Sequence, residues 1–280
     1  MTLMTMTTAL ALVASLLAST SSGAQESART SAEGANKPDV TQQSQPDAGI
    51  DLRPDSLPFE VGEKLDYEVK FGAIKVGSAR MHVQGIENVR GRPAFHTVFT
   101  VRGGTFFYKV NDRYESWMDT LTLSSLRFIQ DVDEGSYERR RVFQIFPDRK
   151  VYTENDSPEK PSVLNPLDDG SFLYFIRTIP LTVGNTVELN RYFRPDRNPV
   201  KIRVLRKERI KVPAGTFQTI VIQPIIKTRG IFADKGEAQV WITDDDRRMM
   251  VQLKSKLSFG SLNLYLRSAQ QTQTTASQGQ

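Results

Sequence analysis

The chain has 280 residues, of which 39% are hydrophobic, 25% charged and 9% aromatic, with a formal net charge of +5. This composition excludes a collagen-like, wholly disordered or polytopic membrane protein. The absence of cysteine excludes disulfides, thiolate metal sites and cysteine nucleophiles, and the two histidines, His82 and His96, are too few for a histidine-rich metal centre.

Ala9 to Ala18 is a ten-residue apolar run, too short to span a bilayer. Ser22, Gly23 and Ala24 follow with the small residues that signal cleavage needs, so residues 1–24 read as an export signal ahead of Gln25. The segment before the apolar run carries no Lys or Arg, which departs from the usual signal. No cysteine follows, so a periplasmic protein without a lipid anchor is expected. Residues 25–57 are rich in Ser, Gln, Ala, Pro and Asp and read as a disordered linker. With three basic and six acidic residues the linker carries −3, so the body from Pro58 to Arg267 carries +8. Residues 268–280 are uncharged, rich in Gln, Thr and Ser, and read as a disordered tail.

Between those ends the apolar period is two. Leu65, Tyr67, Val69 and Phe71 alternate with charged residues, as do Val200, Ile202 and Val204; Phe95, Thr97, Phe99 and Val101 alternate with His96 and Thr100, and Leu262, Leu264 and Leu266 with Asn263 and Tyr265. Such alternation marks antiparallel strands with one buried face. Turn residues separate them at Asn88 to Gly91, Pro147-Asp148, Arg194 to Pro199, Pro213 to Gly215 and Asp244 to Asp246. The expectation is a single all-β domain over residues 58–267, mainly antiparallel, forming a large curved sheet or barrel-like fold. One segment breaks the period. Asp168 to Ser171 supply cap oxygens, Phe172, Phe175, Ile176 and Ile179 recur at helical spacing, and Pro180 stops the run. A short helix is expected there, as a plug or a lid over the open side of the sheet.

Several motifs resemble one family together. They are Pro58 to Tyr67, Phe71 to Gly77, Asn111 to Ser116 leading to Asp119, Asp168 to Ser171, Val212 to Phe217 and Val240 to Arg248. This set is similar to the exported bacterial family catalogued as domain of unknown function 3108, over nearly the whole body. The resemblance implies a β-rich exported domain and supplies no catalytic residue.

Motifs of known chemistry are mostly missing. Ser157-Pro158-Glu159-Lys160 fits an S-x-x-K pattern but lies in a loop, and Lys227-Thr228-Arg229 is not the K-T-G that pattern needs. Asp244 to Asp246 read as turn residues rather than a cation site, since Arg247 and Arg248 follow. Asp112 and Asp119 should face opposite sides of a strand, and with Glu115 they are expected to pair with cations such as Arg113, Lys109 or Arg139 to Arg141. His82 and His96 read as strand-surface residues.

Basic residues carry more information. Lys201, Arg203, Lys207, Arg209 and Lys211 occupy odd positions, which makes one strand face cationic, and Arg139, Arg140 and Arg141 form a second cluster. These are the candidate contacts to an anionic envelope surface; the plainer role is a charged face that discourages edge pairing. Phe172, Phe175 and Ile176 are the candidate plug or lid over a cavity, and the supply of Phe95, Phe99, Phe106, Phe107, Phe143, Phe146 and Trp241 suits either a cavity or a filled core. The functional expectation is a non-enzymatic envelope protein binding an apolar or lipid-like ligand. The alternative is a periplasmic scaffold docking anionic components through its basic face, and an envelope hydrolase comes third. No cofactor, metal or nucleic acid is expected.

Overall fold

The computed structural model describes residues 57–105, 108–226, 238–257 and 260–270. The expected export signal, the linker up to Ser56, Phe106 and Phe107 lie outside the described residues.

Eight strands follow one another from the start: β1 (Lys64–Phe71), β2 (Ile74–Val89), β3 (Arg92–Thr105), β4 (Tyr108–Asp119), β5 (Ser125–Glu134), β6 (Tyr137–Phe146), β7 (Val151–Glu154) and β8 (Lys160–Pro161). The helix α1 (Asp169–Phe175) comes next. Six more strands follow among the described residues: β9 (Thr186–Leu189), β10 (Val200–Val212), β11 (Gly215–Ile225), β12 (Gln239–Thr243), β13 (Met250–Leu257) and β14 (Gly260–Gln270). All belong to one sheet of order β8-β7-β6-β5-β4-β3-β2-β1-β14-β13-β12-β11-β10-β9. The first and last strands pair in its middle, and the two halves run outward as meanders. β14 pairs Ser268, Ala269 and Gln270 with Asp66, Leu65 and Lys64. The folded body therefore passes the expected boundary at Arg267, because the β1 backbone there has a ladder partner to offer.

The sheet rolls on itself. The Ser162 hydroxyl beyond β8 donates to the Phe193 carbonyl beyond β9 at 2.8 Å, and Leu167 and Tyr192 form a parallel bridge. Tyr152 and Phe143 close on the Phe193 ring along this seam. Register shifts leave one residue unpaired at Arg267 in β14, Val76 and Gln84 in β2, Leu126 in β5, Leu205 in β10 and Val251 in β13. Each adds local twist and bend, which a flat ladder would lack. At Gly77 and Gly103 the backbones of β2 and β3 approach so closely that a Cβ on Gly103 would lie 2.4 Å from the Val76 carbonyl oxygen.

One face of the sheet points inward. Leu65, Tyr67 and Val69 on β1, Met81 and Val83 on β2, and Leu262, Leu264 and Leu266 on β14 belong to one buried cluster that continues across the sheet. The helix fills its open side. The Asp168 carboxylate accepts the amides of Gly170 and Ser171, and the Ser171 hydroxyl accepts the Asp168 amide, a complete capping box. Phe172, Phe175 and Ile176 are all buried in the main core. The α-helix is shorter than the spacing suggested. After Phe175 the amides of Arg177 and Thr178 reach back only three residues, to Tyr174 and Phe175, and the Thr178 hydroxyl takes the Phe175 carbonyl. The last turn tightens while Ile179 stays buried.

Candidate functional site

Strand alternation separates the polar residues into two groups, one inside the sheet and one outside. On the inner face the N-terminal end of α1 rests on β4. Ser116 donates to Asp168 at 2.7 Å, and Gly170 leaves room for this contact, since a Cβ there would lie 3.0 Å from the Ser116 Cβ. Burial pushes Asp168 up to about 6 despite the amides and hydroxyls that favour its ionised form. Asp169 accepts from the Tyr192 hydroxyl at 2.8 Å and from Gln130 at 3.2 Å, and burial pushes it up to about 6 as well. Asp112, also inner, accepts the Asp133 amide and lies against the Glu134 carboxyl, and burial pushes it up to about 6. It does not take the cationic partner that its spacing suggested. Glu115 and Asp119 do, with Arg113 and Arg92 at 2.9 and 2.8 Å. Asp112 and Asp119 fall on opposite faces, so these three carboxylates do not assemble into a catalytic pair.

The outer face carries a cross-strand row: Asp66 on β1, Arg80 on β2, Thr100 on β3, Arg113 on β4, Asp131 on β5 and Arg140 on β6. Arg102 pairs in register between Ser78 and Asn111 beside it. Together with Arg267, the residue left unpaired at the β14 bulge, Arg80, Arg102 and Arg113 line an open polar hollow of about 670 Å³. A second hollow of about 320 Å³ continues it through Thr100, Arg102 and Arg113 towards Asp131, Asp133 and Glu138. Arg80 is bound to Asp66 and Arg113 to Glu115. Arg102 and Arg267 are exposed, and no carboxylate lies within ion-pair distance of either among the described residues. These four arginines were not singled out by their sequence pattern. Each is an ordinary polar position of its strand, and only the register brings them side by side.

His96 lies at the edge of this face but is buried. Its two ring nitrogens meet Glu87 and Glu115 at 2.8 and 2.9 Å, its ring stacks on Trp117 at 4.3 Å, and the Trp117 indole donates to Glu87. It was expected on the strand surface; the Trp117 ring covers it. His82 lines the large hollow, where burial holds it below its usual value.

The expected cationic face of β10 is split. Lys201 and Arg203 pair with Ile225 and Gln223, whereas Lys207, Arg209 and Lys211 pair with Ile220, Gln218 and Thr216. A register shift between Val204 and Arg206 inserts one residue, so the second set points to the opposite side from the first. Lys201 and Lys207 are bound to Glu188 and Asp244, both at 2.7 Å. The Arg139 to Arg141 cluster is divided by alternation alone. Arg140 is outside and exposed, Arg141 is buried on the inner face, and Arg139 points inward beside it. Asp245 serves its turn, accepting from the Thr243 hydroxyl and the amides of Arg247 and Arg248. Ser157 is an exposed turn residue, and its amide donates to the Glu154 carbonyl.

Comparison with solved structures finds distant likenesses. A beta-barrel-like protein of domain of unknown function DUF1849 from Brucella abortus is 10% identical with a TM-score of 0.47, covering 75% of this chain and 97% of that one. A candidate lipoprotein from Parabacteroides distasonis is 11% identical with a TM-score of 0.36, covering 77% and 99%. Identities this low carry no functional information. No functionally curated protein matches the sequence. Residues 66–267, from the outer-face Asp66 to the Arg267 that lines the large hollow, match a single family, and the chain belongs to it: the proteins of unknown function DUF3108.

Proposed function

We propose that this protein is an exported, non-enzymatic component of the cell envelope that docks anionic head groups through the outer arginine hollow. The observation that carries this reading is the pairing state of the four arginines. Arg80 and Arg113 are held by carboxylates, which fixes the frame, while Arg102 and Arg267 project into the same hollow with no carboxylate within ion-pair distance among the described residues. Strands lie about 4.8 Å apart, so Arg80 and Arg113, two strands apart, are separated by about 10 Å. That width suits a head group or a chain of charges better than a single small ion. The expected export signal and the basic composition of the body support an anionic envelope partner. An apolar ligand has less support, because the apolar face of α1 is spent on the core and the two outer hollows are polar.

Vesicle flotation tests the reading. The protein should float with phosphatidylglycerol vesicles and not with phosphatidylcholine ones, and should be released as salt shortens the screening length towards about 3 Å at 1 M. Each basic residue near an anionic surface contributes about 1 kcal/mol, so R102Q with R267Q should weaken binding by roughly 30-fold. Equal binding to both vesicle types, or an unchanged double variant, would overturn it.

A further inference from the structure

The seam where the sheet closes holds a second concentration of positive charge, on the inner face and independent of the outer hollow. Glu154 on β7 is its centre. Arg194 and Lys160 approach its carboxylate at 3.6 and 3.7 Å, and Arg139 and Arg141 at 3.9 and 4.0 Å. All four lie beyond ordinary hydrogen-bond length, so the carboxylate sits among cations without being gripped by any of them. Among further acids, Asp169, which acts on Arg141, is engaged by Tyr192 and Gln130, and the effect of Asp196 on Tyr152 is opposed by that of Arg197.

Arg194 is 8% exposed, and its Nε is buried without a hydrogen-bond partner among the described residues. Its guanidinium lies over the rings of Phe143 and Phe193, both 5.3 Å away, which holds it in place while leaving N–H groups to offer. Burial, and then the like charges of Arg139 and Arg194, hold Arg141 below the usual arginine range, with Glu154 acting in the opposite sense. Arg139 and Lys160 remain partly open to solvent, at 35% and 47% of their side chains, and form the entrance.

We propose that this seam binds a phosphate group, free or as a phosphomonoester, between Arg139, Lys160 and Arg194. A tetrahedral dianion presents several oxygens to donors converging from different strands, and guanidinium forks match it in two bonds at once. Because it joins β6, β7, β8 and the 191–197 segment, bound phosphate also ties together the two edges of the sheet.

Thermal unfolding of the purified protein tests this with inorganic phosphate, with a short-chain phosphatidic acid, and with sodium chloride at matched ionic strength. Phosphate should raise the midpoint in a saturable way that chloride does not reproduce. R139Q and R194Q should each raise the apparent Kd at least tenfold, and K75Q, on β2 beside Glu68 and away from both the seam and the hollow, should keep the shift. Tighter binding of phosphatidic acid would assign the group to a lipid head, and equal or weaker binding to free phosphate. A shift that chloride reproduces, or one that K75Q abolishes and R139Q leaves intact, would overturn the proposal. Arg139 is partly exposed, so R139Q remains decisive even if R194Q does not fold.

Discussion

Arg177 and Glu63 form a buried, two-pronged ion pair between the end of α1 and the entrance to β1, with Nη1–Oε1 and Nη2–Oε2 distances of 2.7 and 2.8 Å. The same guanidinium donates to the carbonyls of Pro58 and Arg247. It therefore joins the helix to the first strand, the segment before it and the β12–β13 turn. Burial alone would lower the Arg177 value, but the Glu63 charge and its hydrogen bonds raise it. Removing one partner leaves a charge without its counter-ion in a dry site. E63Q and R177M should each cost about 3–5 kcal/mol, and the double variant much less than their sum. Denaturant unfolding of all four proteins checks the coupling; additive losses would mean that the pair does not act as a unit.

The buried carboxyls give a pH dependence of definite sign. Asp112, Asp168 and Asp169 are each pushed up to about 6, above the ordinary value of 3.8. Between those values the folded state holds more protons than the unfolded chain, so stability falls as pH rises from about 4 to 6. Lowering pH from 7 to 5 should therefore stabilise the protein, until protonation of Glu87, Glu115 and Asp119, which are held low, reverses the trend below about 4. In D169N the gain between pH 7 and 5 should shrink. Unfolding midpoints measured across this range decide it, and a flat profile in the parent protein would contradict the sign.

Phe175 is fully buried, with Arg191 stacked over its ring at 4.2 Å. Phe175→Ala should cost about 3–5 kcal/mol, the usual range for a large core side chain. A loss below about 1 kcal/mol would show that α1 covers a space that can collapse or exchange, as a lid does, rather than filling the core.

Gly77 and Gly103 test the curvature of the sheet. A methyl group on either would lie 2.4 Å from a carbonyl oxygen of the facing strand, and backbone cannot move aside as a side chain does. Gly103→Ala should cost about 1–3 kcal/mol by overpacking. Gly85 has open space where its Cβ would be, so Gly85→Ala is the matched control and should change stability little. Equal losses at both positions would point to glycine flexibility rather than close approach.

Much of this protein is legible in its sequence because antiparallel strands write their buried face into a period of two. Leu65, Tyr67 and Val69 need no tertiary information to be placed inside, and the Asp168 cap and Pro180 stop act within one turn of chain. The family motifs place the body in the same way. What the sequence by itself could not determine depends on register, which is a relation between strands far apart in the chain. The β10 cations looked like one face until an inserted residue near Val204 turned Lys207, Arg209 and Lys211 to the other side. Arg80, Arg102, Arg113 and Arg267 converge only because β14, β1, β2, β3 and β4 align them, and Arg177 meets Glu63 across more than a hundred residues. Local spacing determines which side a residue faces. Only the closed sheet decides what it faces, because cross-strand neighbours are set by ladder pairing and bulges rather than by distance along the chain.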